Sequence, residues 1–272
     1  MTTPRSRTPF LLPVLLPLSM LLVGATACGG SEPAKPLAEK AEKLEIEKPK
    51  AAGTMKFTVD PASSTLGFAM DAPVEKIRGK VPAAATTGVV YADLDDITKS
   101  TALIHVDIHE LELFQQVQGE DGAFGEEVKQ PTQNEHARQW LEISEDVPED
   151  IRKKNELIEF SLASIKDASA ASVNALEGDS RTVTFTATGE FLLHQRKAQK
   201  DAKIEATFTY KDGKPVSVTV KTVEPLSITL DEYDVRPRKG FGVLAAKTLD
   251  ALAPKVAKDA EVSVEFTATL DP

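Results

Sequence analysis

The sequence predicts an all-β fold with small helical additions, built on an antiparallel sheet. From Met55 onward, apolar residues recur at every second position, which is the spacing of a strand with one buried and one wet face. Asp212-Gly213, between two such segments, is a two-residue turn typical of a hairpin. Strands do not alternate with helices as they would in a parallel sheet. Such a sheet packs as a sandwich or closes into a barrel, and the periodicity alone leaves both open.

Each predicted strand is identified by its alternating apolar residues. In chain order these are Phe57 and Val59; Leu66, Phe68 and Met70; Ile104, Val106 and Ile108; Ile158, Phe160 and Leu162; Val183, Phe185, Ala187, Phe191 and Leu193; Ala202, Ile204, Ala206, Phe208 and Tyr210; Val216, Val218 and Val220; and Val262, Val264, Phe266, Ala268 and Leu270. Residues 132–141 and 242–258 have helical spacing instead, and Pro254 ends or kinks the second helix. The polar stretches 115–130 and 144–155 predict loops.

The first residues predict export. Arg5 and Arg7 precede an apolar run over 10–23, and small residues follow up to Ala27, which is the order of a secretory signal peptide. The run is short and interrupted by prolines, so it does not predict a permanent membrane span.

Cys28 is the only cysteine of the chain and directly follows the small residues. A lone thiol at this position is the lipid-acceptor pattern of bacterial lipoproteins, although 25–27 would also serve as an ordinary signal-peptidase site. We predict a lipoprotein signal peptide over 1–27, a flexible tether over 28–54 and a β domain over 55–272. The domain is then anchored to a membrane through Cys28, in the periplasm or at the cell surface.

Charge and motifs exclude several functions. The net charge of −10 argues against nucleic acid or an anionic lipid surface as an electrostatic partner. The sequence contains no nucleophile elbow, phosphate loop or Cys-His pair, so it predicts neither an enzyme nor a cofactor. Protein partners are not identified by any pattern.

His105, Asp107 and His109 alternate along one strand, on the face opposite Ile104 and Val106. Imidazole and carboxylate are metal-ligand types, but residues two apart on a strand lie about 6–7 Å apart. The wet face of a half-buried strand explains the same pattern, and no metal site is predicted. A metal-binding or enzymatic lipoprotein using these residues remains one alternative, and an adhesion or assembly domain with a filled core is another.

Three stretches, in this order, carry a resemblance to a known family. They are 57–68 followed by Ile77-Arg78-Gly79-Lys80; 134–142 followed by Ile158-Glu159-Phe160; and 189–194. These stretches resemble the YceI-like family of lipid- and polyisoprenoid-binding proteins. The sequence departs from that family at Ser63, Val81, 140–141 and Gln195, where His, an aromatic residue, two phenylalanines and Gly are usual.

The resemblance implies an extended antiparallel barrel of lipocalin-like shape with about eight main strands. Its interior would receive a polyisoprenoid or another long lipid chain, bound as a ligand. The predicted ligand-binding residues are the inward apolar side chains of the strands and the aromatic side chains of the helical segments: Phe68, Ile104, Val106, Phe160, Phe185, Phe191, Ile204, Phe208, Phe266, Trp140 and Phe241. Arg78, His136 and His194 are the candidates for binding the head group.

Overall fold

Antiparallel strands dominate the computed structural model, which describes residues 36–49, 51, 53–236 and 257–272. In chain order they are β1 (Glu39–Lys40), β2 (Met55–Val59), β3 (Thr65–Ala72), β4 (Glu75–Val81), β5 (Thr86–Ala92), β6 (Thr101–Asp107), β7 (Glu112–Val117), β8 (Val128–Lys129), β9 (Leu157–Lys166), β10 (Ser180–Leu193), β11 (Arg196–Lys211), β12 (Lys214–Thr222), β13 (Leu226–Thr229) and β14 (Asp259–Leu270).

The helices of the described residues are short. They are α1 (Pro131–Trp140) and α2 (Glu149–Asn155), accompanied by 3-10 turns at Pro61–Ser63, Ala83–Ala85, Ile97–Lys99 and Leu230–Tyr233. The helix α1 confirms the prediction for 132–141, whereas the predicted helix over 242–258 lies outside the described residues except for its last two positions. Neither described helix has the length and apolar character needed to cross a bilayer.

Eight strands close into a ring. Their order around it is β2, β5, β6, β9, β10, β11, β12 and β14, with every neighbouring pair antiparallel. The ring closes where Ala268 and Leu270 of β14 pair with Val59 and Phe57 of β2. Closure removes the free edges that a sandwich would leave. The expected antiparallel barrel is confirmed, and the sandwich that the periodicity allowed is not formed.

The strand β14 also continues into a second part of the sheet. Val262, in its first half, pairs with Phe68 of β3 on one side and with Leu226 of β13 on the other. The strands β4, β7 and β8 follow β3 in turn. The helix α1 is fixed to this extension, because the Asn134 side chain accepts a hydrogen bond of 2.8 Å from the backbone N–H of Leu113.

Two predicted loops are wrong in part. The stretch 115–130 contains the end of β7 and the whole of β8, and 144–155 contains α2. The end of β7 and the strand β8 were not predicted, because these residues at the outer edge of the sheet do not alternate between apolar and polar. The helix α2 has no apolar face, and pairs four residues apart accompany it instead, with Lys153 2.6 Å from Glu149 and Arg152 3.6 Å from Glu156.

The hairpin predicted at Asp212-Gly213 is confirmed. These residues join β11 to β12 with positive φ angles of 52° and 74°. Positive φ at both central positions is the requirement of a type I′ turn, which matches the twist of the strands it connects.

The apolar core consists of two clusters, one at each end of β10. The Phe208 cluster is centred on Phe57, Val183, Phe208, Val218, Phe266 and Ala268. The Phe191 cluster is centred on Val106, Leu113, Leu141, Phe191, Ile228 and Tyr233. In the first, the rings of Phe57 and Phe208 meet edge to face with their centroids 6.1 Å apart.

Residues 36–46, here called the strap, lie along the outside of the barrel. The backbone N–H of Ala38 donates to the Glu232 carbonyl at 2.8 Å, and that of Ala41 donates to the Gln195 carbonyl at 3.0 Å. The sequence predicts a flexible tether over 28–54. In this part of that range the chain is instead hydrogen-bonded to the barrel.

Leu44 is the apolar anchor of the strap. Its side chain is only 5% exposed, and its backbone N–H donates to the buried carboxylate of Glu159. Close by, the Ser161 hydroxyl donates to the Glu45 carbonyl at 2.8 Å. The polar composition of the strap gives no sign of this attachment in the sequence. Backbone hydrogen bonds and a single buried leucine supply most of the contacts.

Truncating this anchor is expected to loosen the strap. Leu44→Ala should lower the free energy of unfolding by about 2 kcal/mol, since it removes a buried side chain and leaves a gap. Urea unfolding measures the change, and hydrogen exchange of the strap amides locates it. Leu37→Ala is the matched control, because Leu37 belongs to the same strap and is 47% exposed. Equal losses in both variants would contradict the anchoring role of Leu44.

Candidate ligand-binding site in the barrel

The strand registers determine which side chains face the interior of the ring. Ile104 of β6 pairs with Phe160 of β9, and Phe160 pairs with Phe191 of β10, so these three lie on one face. The predicted inward residues of the ring share this face: Ile104, Val106, Phe160, Phe185, Phe191, Ile204, Phe208 and Phe266. Phe68 belongs to β3, outside the ring, and extends the same face across β14.

Several of these inward residues keep accessible surface. Ile104, Phe160, Phe185, Val220 and Val264 are half-buried, in contrast to the fully buried centres of the two clusters. Protein interiors are normally close-packed, so an inward side chain with accessible surface borders space that the neighbouring protein atoms leave unfilled. We call this space the lumen.

The side chains that border the lumen connect the two clusters. Phe160 and Val264 each pack against both of them. Glycines stand on the inward face near these residues, because Gly88 pairs with Ile104 and Gly189 pairs with Leu162. These glycines let the large side chains of Phe160 and Ile104 lie close against the backbone. Most of the other inward side chains are apolar, with Lys200, the partner of Gly189 in β11, as an exception. The arrangement suits an apolar chain.

Polar side chains gather at the Phe191 end of the barrel. His194 is 6% exposed; its Nδ1 lies 3.1 Å from the Tyr233 carbonyl and its Nε2 lies 2.9 Å from a Glu142 oxygen. His194 and Gln195 form the turn from β10 to β11 with φ angles of 50° and 55°. Gln195, at the position where the resembled family has Gly, donates from Nε2 to the Asn155 side chain at 2.8 Å.

Tyr233 is completely buried in this region. Its ring meets that of Phe191 edge to face at 5.5 Å, and the Lys200 ammonium lies 5.4 Å from the ring centre. Burial raises the pKa of the Tyr233 hydroxyl well above its ordinary value, so the group stays neutral. Lys200 is itself paired with Glu232 at 2.7 Å.

Two hydroxyls at this end have no hydrogen-bond partner among the described residues. They are Tyr233 Oη and Thr86 Oγ1, both on side chains with 0% exposure. Thr86 faces inward, because it pairs with Val106 across β5 and β6. Sequence reasoning missed both residues. For Thr86, a threonine at an inward position of an otherwise apolar strand was a weak signal. For Tyr233, the local sequence pattern gave none.

The three head-group candidates have different surroundings. Arg78 lies on the face of β4 opposite Phe68 and pairs with Asp71 at 2.5 Å, which lowers the pKa of Asp71 below its ordinary value. His136 lies on α1 and is half-buried. His194 lies at the Phe191 end, with the contacts to Tyr233 and Glu142 given above.

The aromatic residues predicted from the helical segments have different outcomes. Trp140, on α1, packs against the Phe191 cluster. Phe241 lies outside the described residues.

The alternating polar residues of β6 and the position just after it form hydrogen bonds within the protein. His105 lies 3.0 Å from Glu159, His109 lies 3.1 Å from Glu156, and Asp107 accepts the backbone N–H of His109 at 2.8 Å. Within the described residues, no three side chains of the metal-binding types are grouped around a common point.

A polar cleft of about 960 Å³ is lined by residues of β4, β7, α1 and α2 and of the loops between them, rather than by strands of the ring. Charges of both signs line it, among them Lys80, Glu112, Arg138, Glu145 and Arg152. Its mixed lining contrasts with the apolar walls of the lumen, and the cleft does not suit an apolar chain.

Closed antiparallel barrels with an apolar interior are the class of protein that this geometry defines. No family model matches the sequence, and no curated protein matches it. Several solved structures are similar, and two of them serve as examples. One is a polyisoprenoid binding domain from Saccharophagus degradans implicated in plant cell wall breakdown, with 15% identity, a TM-score of 0.47 and coverage of 80% of this chain and 99% of that chain. The other is BcnA from Burkholderia cenocepacia, with 15% identity, a TM-score of 0.46 and coverage of 78% and 99%.

Proposed function

We propose that this protein binds a long apolar lipid, a polyisoprenoid or one of similar girth, with the chain in the lumen of the barrel. The observation that carries the proposal is the set of inward apolar side chains that keep accessible surface between two packed clusters. The motif resemblance described from the sequence favours an isoprenoid among the lipids of that shape.

The energetics favour such a ligand over a compact polar metabolite. Apolar surface removed from water contributes roughly 25 cal/mol per Å², so a chain that loses about 300 Å² gains roughly 7 kcal/mol before the cost of ordering it. A small polar molecule would need buried polar partners instead. The half-buried residues around the lumen, Ile104, Phe160, Phe185, Val220 and Val264, offer none through their side chains.

The proposal includes export and membrane anchoring. The cationic start, the apolar run and Cys28 support a lipidated N-terminus, and the strap begins only a few residues after that position. A lipid-binding barrel held beside a membrane has its ligand source within reach.

A charge inside the lumen tests the binding site. Ile104→Glu is expected to weaken lipid binding strongly, because a carboxylate at this half-buried position can stay hydrated in the empty barrel but loses that water when an apolar chain binds. The affinity for a fluorescent isoprenoid should fall by about tenfold or more. The lipid that co-purifies, measured by extraction and mass spectrometry, should disappear.

Leu103→Glu is the matched control, since Leu103 is the next residue of β6, is also half-buried and faces outward. Its lipid content should stay close to that of the unchanged protein, and circular dichroism should show the same β spectrum for both variants. Lipid binding would be excluded if the unchanged protein bound nothing from a broad lipid panel. Equal loss in both variants would place the site elsewhere than the lumen.

A further inference from the structure

The Phe191 end of the lumen contains a buried hydroxyl held in a defined position. The backbone carbonyl of Tyr233 lies 3.1 Å from Nδ1 of His194, and the Tyr233 ring packs against Phe191. These two contacts fix the side chain, so its hydroxyl cannot easily move to another hydrogen-bond partner. A buried hydroxyl without a hydrogen bond destabilises a protein, and native structures contain few of them. A ligand oxygen placed here would give the hydroxyl the hydrogen bond that the described residues do not supply.

The position of Tyr233 relates it to the lumen. Phe191, on which its ring packs, pairs with Phe160, and Phe160 borders the lumen. The unpartnered hydroxyl of Thr86 belongs to the same end, opposite Val106 of the Phe191 cluster. The rest of the lumen wall is mostly apolar. The hydroxyls of Tyr233 and Thr86 therefore lie where we expect the polar end of a bound lipid.

We propose that the Tyr233 hydroxyl donates a hydrogen bond to an uncharged oxygen, of a carbonyl or an alcohol, at the polar end of the bound lipid. This inference rests on the proposed function. It makes Tyr233 a specificity-determining residue for the head group, while the lumen selects the chain.

The charges around Tyr233 favour an uncharged group over a phosphate or diphosphate. The basic side chains next to it already have acidic partners, Lys200 with Glu232 at 2.7 Å and His194 with Glu142 at 2.9 Å. An anion buried here would lack a free cation among these neighbours and would carry the cost of losing its hydration. A carbonyl or alcohol oxygen needs only one donor, which Tyr233 supplies.

Tyr233→Phe removes only the hydroxyl and tests the assignment. The probes are a long isoprenoid alcohol, its diphosphate ester and the hydrocarbon of the same chain length, titrated by displacement of a fluorescent lipid. In the unchanged protein the alcohol should bind most tightly. In the variant the alcohol should lose roughly five- to tenfold in affinity, the contribution of one hydrogen bond, while the hydrocarbon is unaffected.

Thermal unfolding supplies a second readout. The ligand-free Tyr233→Phe protein should be as stable as the unchanged protein or more so, because no hydrogen bond is lost. Thr101→Val is the control, since Thr101 Oγ1 is also buried and unpartnered among the described residues but lies on the outward face of β6. That variant should bind all three probes normally.

Three results would overturn the assignment: an unchanged affinity for the alcohol in Tyr233→Phe, an equal loss for the hydrocarbon, or a diphosphate that binds more tightly than the alcohol. If the unchanged protein binds none of the probes, the proposed function fails and the assignment fails with it. If it binds them and Tyr233→Phe makes no difference, only the assignment fails.

Discussion

Cys28→Ser is expected to release the protein from the membrane or to leave it unprocessed. A lipidated cysteine holds a protein by burying acyl chains, and each buried methylene contributes about 0.8 kcal/mol, so two chains give an anchor that is stable over the life of the protein. Serine has no thiol to accept the lipid. Fractionation of cells followed by immunoblotting should move nearly all of the protein out of the mature, membrane-bound pool.

Ser31→Ala is the control for this experiment, because it lies in the same stretch without a thiol. It should fractionate with membranes like the unchanged protein, and mass spectrometry of the N-terminal peptide should show the lipid on Cys28. Mature Cys28→Ser protein that remained in the membrane fraction would refute lipidation at this residue.

Gly189→Ala is expected to destabilise the barrel strongly. A Cβ at this position would fall far inside the contact distance of the Ser161 carbonyl oxygen and 2.6 Å from Cζ of Phe160. The carbonyl belongs to the paired strand β9 and cannot turn away as a flexible side chain could. Overpacking of this kind costs about 3 kcal/mol, which would lower the unfolding temperature of a domain this size by roughly 6–12 °C.

Gly67→Ala serves as the matched substitution, because its nearest contact would be the Gly79 carbonyl oxygen at 3.4 Å, an ordinary distance. Thermal unfolding followed by circular dichroism compares the two. Similar unfolding temperatures would mean that β9 and β10 can move apart at this point, and the close approach would then have no energetic role.

The long strands could be predicted from sequence because their physics is local. Over 183–191 of β10 and 202–210 of β11, apolar residues or glycine alternate with polar residues. This alternation predicts that Phe185 and Ile204 both face inward, and the two residues are paired in the register of the strands. Ring closure could not be deduced in this way. The contact between β2 and β14 joins residues from the two ends of the domain, and no local pattern specifies which strands will meet.

The polar part of the site lay further beyond prediction. His194 could be selected from the sequence because the chain has only four histidines. Tyr233 became a candidate only because its buried hydroxyl has no hydrogen-bond partner among the described residues of the folded protein. Unsatisfied hydrogen bonding is a property of the assembled structure and has no counterpart in residue spacing. The strap was missed for a similar reason, since its backbone donors bind to Glu232 and Gln195, which are distant in sequence.

The shared strand β14 also determines when the barrel can form. Because its last residues pair with β2 and its first residues pair with β3 and β13, the ring and its extension both wait for the C-terminal residues. Contacts between such distant segments form slowly, because the entropy of a long loop is lost before the strand pairing can stabilise the chain. If the chain is exported as proposed, its barrel would stay open until the final strand leaves the translocation channel. Folding would then follow transport, which is the order that passage through a membrane in the unfolded state requires.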